Sequence, residues 1–163
     1  MPAFARAGAR YRIPDEPRPT GLARHAVSPV WPLLAVMFAG FAPGIAWFAF
    51  NLHALGSPAP LRQWLLIVVG VIGVPLVALA ALMAADAGHL DDTSLQYALL
   101  AEPAVKLALA YTLLLHQLPL AELLEHYERP LKNGMPALLL FAILAHALID
   151  SKTLPWYAAL LLR

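Results

Sequence analysis

Residues 64–85 read WLLIVVGVIGVPLVALAALMAA, a run that contains no charged side chain. A helix rises about 1.5 Å per residue, so one over this run is long enough to cross a hydrocarbon core of about 30 Å. The composition agrees, because 61% of the chain is hydrophobic, against about 45–50% in soluble globular proteins. The sequence therefore predicts an all-α integral membrane protein.

Three further apolar runs predict a bundle of about four transmembrane helices. Residues 30–53 are uncharged and of span length, and a short polar link connects them to 64–85. We expect these two spans to form an antiparallel hairpin. Residues 95–118 are again of span length, whereas 135–149 give a slightly short helix that local thinning of the bilayer can accommodate. The four predicted spans are therefore 30–53, 64–85, 95–118 and 135–149.

The two ends of the chain differ from the predicted membrane domain, 30–163. Residues 1–29 are rich in arginine and proline, which predicts an extended, solvated tail. We interpret this tail as retained, since the apolar run after it has full transmembrane length and no convincing cleavage site for a signal peptidase. Residues 153–162 are apolar but too short to span, and they predict a C-terminal helix that lies at the membrane interface.

Basic residues set the expected orientation, because they concentrate on the cytoplasmic side of a membrane. With both ends cytoplasmic, the inside holds seven of them and the outer loops three. We therefore predict a multi-pass protein of the inner, cytoplasmic membrane with both termini inside. The loop 86–92 would then also be cytoplasmic, although it has no lysine or arginine. The inner set is Arg6, Arg10, Arg12, Arg18, Arg24, Lys152 and Arg163, and the outer set is Arg62, Arg129 and Lys132.

Glu102 and Lys106 are the clearest functional candidates, because an ionisable group within a span is costly unless it is paired or faces a polar cavity. Their i, i+4 spacing suits a helical ion pair. At 100° per residue, His116 falls within the same stripe, roughly 80° wide, so we expect all three to form an intramembrane polar contact. Three roles remain open: a self-neutralising pair that fixes packing, recognition of another membrane subunit, or a proton or ion relay.

Small residues mark two candidate packing faces. Gly40 and Gly44 form a small-xxx-small pattern in the first predicted span, and Gly70 and Gly73 lie on a smooth stripe in the second. Such faces allow helix backbones to approach closely. We expect the two faces to meet each other, with a homodimer seam as the alternative.

Metal, cofactor and catalytic sites have little support in the residue pattern. The chain has no cysteine, and haem is disfavoured because His116 lies near the outer end of the third predicted span and His146 near the inner end of the fourth. His53, His116 and His126 are weak candidates for a metal site near the outer boundary, without a strict ligand spacing. No nucleophile elbow or phosphate-binding glycine loop is present. We predict no cofactor and a non-enzymatic protein.

The function that these observations favour is a subunit or accessory protein of a larger inner-membrane complex, acting through helix contacts. Its expected partners are the lipid bilayer and other membrane subunits or further copies of itself. A net charge of +1 gives nucleic-acid binding no support. Two alternatives stay open: a small oligomeric transporter or channel that uses Glu102 and Lys106, and a protective, immunity-type membrane protein.

Overall fold

The computed structural model describes residues 20–127 and 131–150, and this part of the chain is all-helical. A π-helical segment, Val69–Gly73, joins two of the α-helices without a break, and a 3-10 turn, Ala23–His25, precedes the first. The α-helices are α1 (Val30–Phe38), α2 (Phe41–Ala54), α3 (Pro60–Val68), α4 (Val74–Asp86), α5 (Asp92–His126) and α6 (Met135–Asp150).

Two helices dominate the structure: the continuous helix Pro60–Asp86, which comprises α3, the π segment and α4, and the helix α5. Both are long and apolar enough to cross a membrane. The loop between them, 87–91, turns at Gly88 with a φ of 75° and ends at Asp91, whose side chain caps α5 by accepting from the N–H of Ser94. Hydrogen bonding with Ser94 holds the pKa of Asp91 below its ordinary value.

The π segment lies in the middle of Pro60–Asp86, just ahead of Pro75. A proline inside a helix has no N–H to donate, and its ring crowds the carbonyl four residues earlier, here that of Val71. A π-helical turn relieves this conflict by widening the helix. The wider turn therefore follows from the position of the proline.

Residues 30–53, expected as one membrane span, form a helical hairpin instead. Ala39 and Gly40 separate α1 from α2, and Gly40 has a φ of 100°, a conformation that glycine adopts without strain. The two helices then pack so closely that a Cβ at Gly44 would lie 2.5 Å from the backbone nitrogen of Val36. At about 14 Å and 21 Å, neither is long enough to cross a core of about 30 Å.

The hairpin returns the chain to the end of the bundle at which it started. The N–H of Val27, before α1, donates to Oδ1 of Asn51, near the end of α2, over 3.1 Å. Helix α6 starts beside them, because Gly134 lies against the side chain of Trp31. We call this the near end, formed by residues 20–29, 54–60 and 131–134, and the loop 87–91 the far end.

The hairpin packs into the angle between α3 and α5. Ile45 and Phe48 of α2 are buried in one apolar cluster with Ile67 of α3 and Leu113 of α5. On the other side of the hairpin, Trp47 packs edge-on against Phe141 of α6, with ring centroids 5.3 Å apart. Helices α3, α5 and α6 therefore all pack against the hairpin.

The N-terminal segment 20–29 is packed rather than solvated, which corrects part of the predicted tail. Ala26 and Val27 are buried, and Ala26 shares an apolar cluster with Leu55 and Leu120. The carbonyl of Ala26 accepts from the N–H of Lys132, so the segment also ties down the start of α6. The rest of the predicted tail and the predicted interfacial helix 153–162 lie outside the described residues.

The reversal of the chain leads to a first prediction. Gly44→Ala should lower the free energy of unfolding by about 1–3 kcal/mol, because the added Cβ meets the backbone of Val36, which cannot move aside. Gly73→Ala is the matched control, since its Cβ would meet one side-chain atom, of Val69, at 3.7 Å. Unfolding of the purified variants in detergent, followed by circular dichroism, measures both. Equal stability of the two would contradict the packing of α1 on α2.

Candidate functional site

Glu102 and Lys106 form a buried ion pair halfway along α5. Lys106 Nζ lies 2.6 Å from Glu102 Oε1, and the two side chains are 10% and 5% exposed, glutamate first. Consecutive turns of the helix bring residues at i and i+4 together, so α5 itself supplies the geometry of the pair. Each charge offsets the other, which lowers the cost of keeping both groups out of water.

The tip of the hairpin reaches this ion pair. Lys106 Nζ lies over the ring of Phe41, the first residue of α2, at 5.5 Å from the ring centroid. The same ring packs against Gly70 of the π segment, where an added Cβ would be 2.9 Å from the ring. A cation over an aromatic face gains about 0.5–1 kcal/mol at an exposed site and about 2 kcal/mol when it is shielded from water. Phe41 therefore connects the hairpin to both long helices at mid-length.

A cleft of about 280 Å³ opens beside the ion pair, between the π segment and α4 on one side and α5 on the other. Glu102 forms part of its wall, and the other lining residues are apolar. The central site thus combines a buried ion pair, the hairpin tip, a widened helical turn and an open space. We refer to these features together as the central site, defined by Phe41, Gly70, Gly73, Glu102 and Lys106.

A second polar cluster, the amide network, lies towards the near end. Asn51 Nδ2 donates to Gln117 Oε1, and Gln117 Nε2 donates both to Gln63 Oε1 and to the carbonyl of Phe48, each over 3.0 Å. Gln63 Nε2 then donates to Ser57 Oγ over the same distance. The network joins the N-terminal segment, α2, the loop before α3, α3 itself and α5. Asn51, Gln63 and Gln117 are almost completely buried.

The amide network holds the helices together at the near end, and the pairing of its side chains was not predicted from the sequence. A buried amide without a partner costs about 1–3 kcal/mol, so each member holds its neighbours in place. The available signal was the presence of single amides inside or beside the apolar runs, at Asn51, Gln63 and Gln117. That signal does not give the partners, because the three residues come together only when the hairpin returns α2 to the near end.

His116 does not belong to the polar contact expected with Glu102 and Lys106. Its side chain is exposed, and its Nδ1 donates to the carbonyl of Thr112 within α5. At 100° per residue, Gln117 is displaced from Lys106 by about 20° around the helix and His116 by about 80°. The buried stripe that begins at Lys106 therefore ends at Gln117, and His116 faces outward.

The three weak metal candidates each have a separate neighbour in the structure. His53 packs beside Trp64, with ring centroids 5.8 Å apart, and His126 lies beside Tyr127 at 5.9 Å. His116 is held by the carbonyl of Thr112. Within the described part of the chain, no group of three or more histidine and acidic side chains is placed to hold a metal ion.

The glycine faces meet different partners from those expected. Gly40 is the turn of the hairpin, and Gly44 packs against Val36 in α1 rather than against the helix that carries Gly70 and Gly73. Gly70 does touch the hairpin, through the ring of Phe41. A Cβ at Gly73 would find one neighbour within 4 Å, Val69 of its own helix, so this position borders open space.

Comparisons of the chain with protein-family models, with curated protein sequences and with solved structures give no match.

The amide network leads to a second prediction. Gln117→Leu should lower the free energy of unfolding by about 2–4 kcal/mol, because it leaves the amides of Asn51 and Gln63 and the carbonyl of Phe48 without this partner. Gln96→Leu makes the same change at an exposed position of α5 and should stay within about 0.5 kcal/mol of the parent. Denaturant titration in mild detergent compares them. Two variants of equal stability would argue against the network.

Proposed function

We infer that this chain is an integral membrane protein in which Pro60–Asp86 and α5 cross the bilayer, while the α1–α2 hairpin enters and leaves it at the near end. Only 22% of the residues in the apolar window of each long helix are buried. Large side chains such as Leu65, Ile72 and Leu76 point away from the fold. Lipid is the environment that such a surface favours, since exposing it to water is costly.

A re-entrant hairpin is compatible with lipid because its backbone is covered by protein. Non-helical backbone is tolerated at membrane depth where it is buried within the fold. The turn at Ala39 meets this condition, since Ala39 is almost inaccessible and Phe41 beside it is packed against Gly70. The hairpin replaces the first of the four predicted spans, while α6 starts at the near end and remains a proposed span. Three crossings would put the C-terminus, with Lys152 and Arg163, outside, and this replaces the expectation that both termini are cytoplasmic.

The charge distribution supports a cytoplasmic near end. All five arginines of residues 1–29 precede the hairpin, and Arg62, Arg129 and Lys132 adjoin the same end in the sequence. The loop 87–91 has neither lysine nor arginine. Under the positive-inside rule this loop belongs outside. The re-entrant hairpin thereby accounts for the lack of basic residues that a cytoplasmic placement of this loop leaves unexplained.

We propose that a protein with this membrane fold is a non-enzymatic subunit of a larger assembly in the inner membrane. The observation that carries this function is that polar contacts lie between the helices, whereas apolar side chains cover their outer faces. The amide network and the ion pair tie its helices together internally, whereas its outer faces present apolar side chains of α3 to α6. Membrane helices associate where small residues on such faces let the backbones approach closely, with other subunits or with further copies of the same chain.

A small oligomeric transporter is the second candidate, favoured by the central site. An ion pair, a π-helical turn and a re-entrant tip lie together at mid-length of the proposed spans. Intramembrane charges and π-helical turns both occur frequently at functional sites. In this case several copies would have to surround a path that includes Glu102 and Lys106.

Purification from native membranes separates the two functions. The subunit proposal expects the tagged protein, extracted in mild detergent, to retain a second membrane protein in fixed stoichiometry. The matched measurement is ion flux through vesicles that contain the purified chain alone. A pure homo-oligomer whose flux disappears in Glu102→Gln, with the assembly intact, would replace the subunit proposal by the transporter.

Cysteine labelling tests the topology. Single cysteines at Gly21, Ala59 and Asn133 should all react with an impermeant thiol reagent from the cytoplasmic side, and a cysteine at His89 should react from the outside. The four positions are exposed in the structure, and the chain has no native cysteine to interfere. If the hairpin were a complete span, Gly21 and Ala59 would label from opposite sides, so that result would rule out the re-entrant arrangement.

A further inference from the structure

The cleft of the central site is lined almost entirely by apolar residues. Nine of its ten lining residues are apolar, and the tenth is Glu102. The space measures about 280 Å³. An apolar cavity of roughly 150 Å³ is enough to bind benzene, so this cleft has room for a molecule of about two fused rings.

Small residues on both helices leave this space open. Gly73 and Ala78 face Ala98 and Ala101 across the cleft, where side chains of leucine size would fill it. The opening therefore follows from the small size of these side chains.

The mouth of the cleft lies on the outer face of the helix pair. Two of its lining residues, Val77 and Val105, are 71% and 47% exposed. Both lie well inside the long helices rather than at the near or far end. A ligand would therefore enter sideways, from the apolar surroundings that the proposed function assigns to this face.

Glu102 determines the polar chemistry that the cleft can accept. A carboxylate has about four acceptor sites, and the ammonium of Lys106 does not use all of them. A ligand that donates a hydrogen bond from a hydroxyl or an N–H group can use this capacity, whereas a hydrocarbon tail cannot. An anion would be repelled by the carboxylate at close range.

We propose that this cleft binds a small, uncharged, hydrophobic molecule that carries one hydrogen-bond donor and reaches Glu102 from the side. The apolar walls hold the body of the ligand, and Glu102 orients its donor. This arrangement follows the general pattern of ligand sites, in which apolar walls supply contact area and a few polar groups supply specificity. Entry from lipid rests on the proposed membrane location, whereas binding itself can be measured in detergent as well as in bilayers.

Two fluorescent probes of nearly equal shape test the polar contact. The first is 2-naphthol, which has a hydroxyl donor, and the second is 2-methylnaphthalene, which has none. Purified full-length protein in lipid nanodiscs should bind 2-naphthol saturably, after the signal of empty nanodiscs is subtracted. We expect its Kd to be about 10-fold to 100-fold lower than that of 2-methylnaphthalene, the range for a hydrogen bond to a charged group.

Matched variants locate the binding site. Ala101→Leu fills the cleft from α5 and should weaken 2-naphthol binding at least about tenfold. Ala108→Leu makes the same change two turns further along the same face, at an exposed position outside the cleft, and should bind like the parent. If Ala101→Leu does not fold, Gly73→Leu fills the cleft from the opposite helix, where the structure leaves room for a Cβ.

Three results would overturn the proposal. Equal affinity for the two probes would remove the role of Glu102 as an acceptor. Unchanged binding in both cleft-filling variants would move the site elsewhere. Loss of tightly held phospholipid from Ala101→Leu, without saturable binding of either probe to the parent, would assign the cleft to a lipid tail. None of these results depends on whether a partner subunit co-purifies, so the two proposals fail separately.

Discussion

The reversal of the chain at Ala39 and Gly40 is the constraint on which the other contacts depend. Because Gly40 takes a positive φ and Gly44 has no side chain, α2 can fold back directly along α1. This return brings Asn51 beside Val27, and it leaves Phe41 at the tip beside Lys106. A continuous helix over the same residues would carry the two ends of this segment to opposite ends of the bundle.

The second requirement of the fold is that buried polar groups have partners. In an apolar environment a donor or acceptor without a partner costs several kcal/mol, so the amides have to find one another. Gln117 meets this requirement with three contacts, to Asn51, Gln63 and the backbone of Phe48. The ion pair of the central site meets it within a single helix. The amide network specifies how separate segments come together, and the ion pair allows two charged side chains to remain at mid-length of α5.

The two polar clusters suggest a division of roles along the bundle. Near one end, the amide network joins five segments and favours one packing of them. At mid-length, small residues line the cleft beside Glu102. The amide network fixes the helices at one end, and the cleft beside Glu102 stays open at mid-length. Such an arrangement can hold a partner or a ligand without rearrangement of the whole fold.

The sequence by itself determined the helical class, the two long apolar helices and the Glu102–Lys106 pair, because each depends on local composition or on i, i+4 spacing. Pro43, in the first turn of α2, was a local sign of a helix start after Gly40, but an apolar run of span length concealed it. The tertiary structure alone decided the hairpin, the amide network and the outward position of His116. These depend on which distant residues meet, and neither hydropathy nor helical periodicity specifies that.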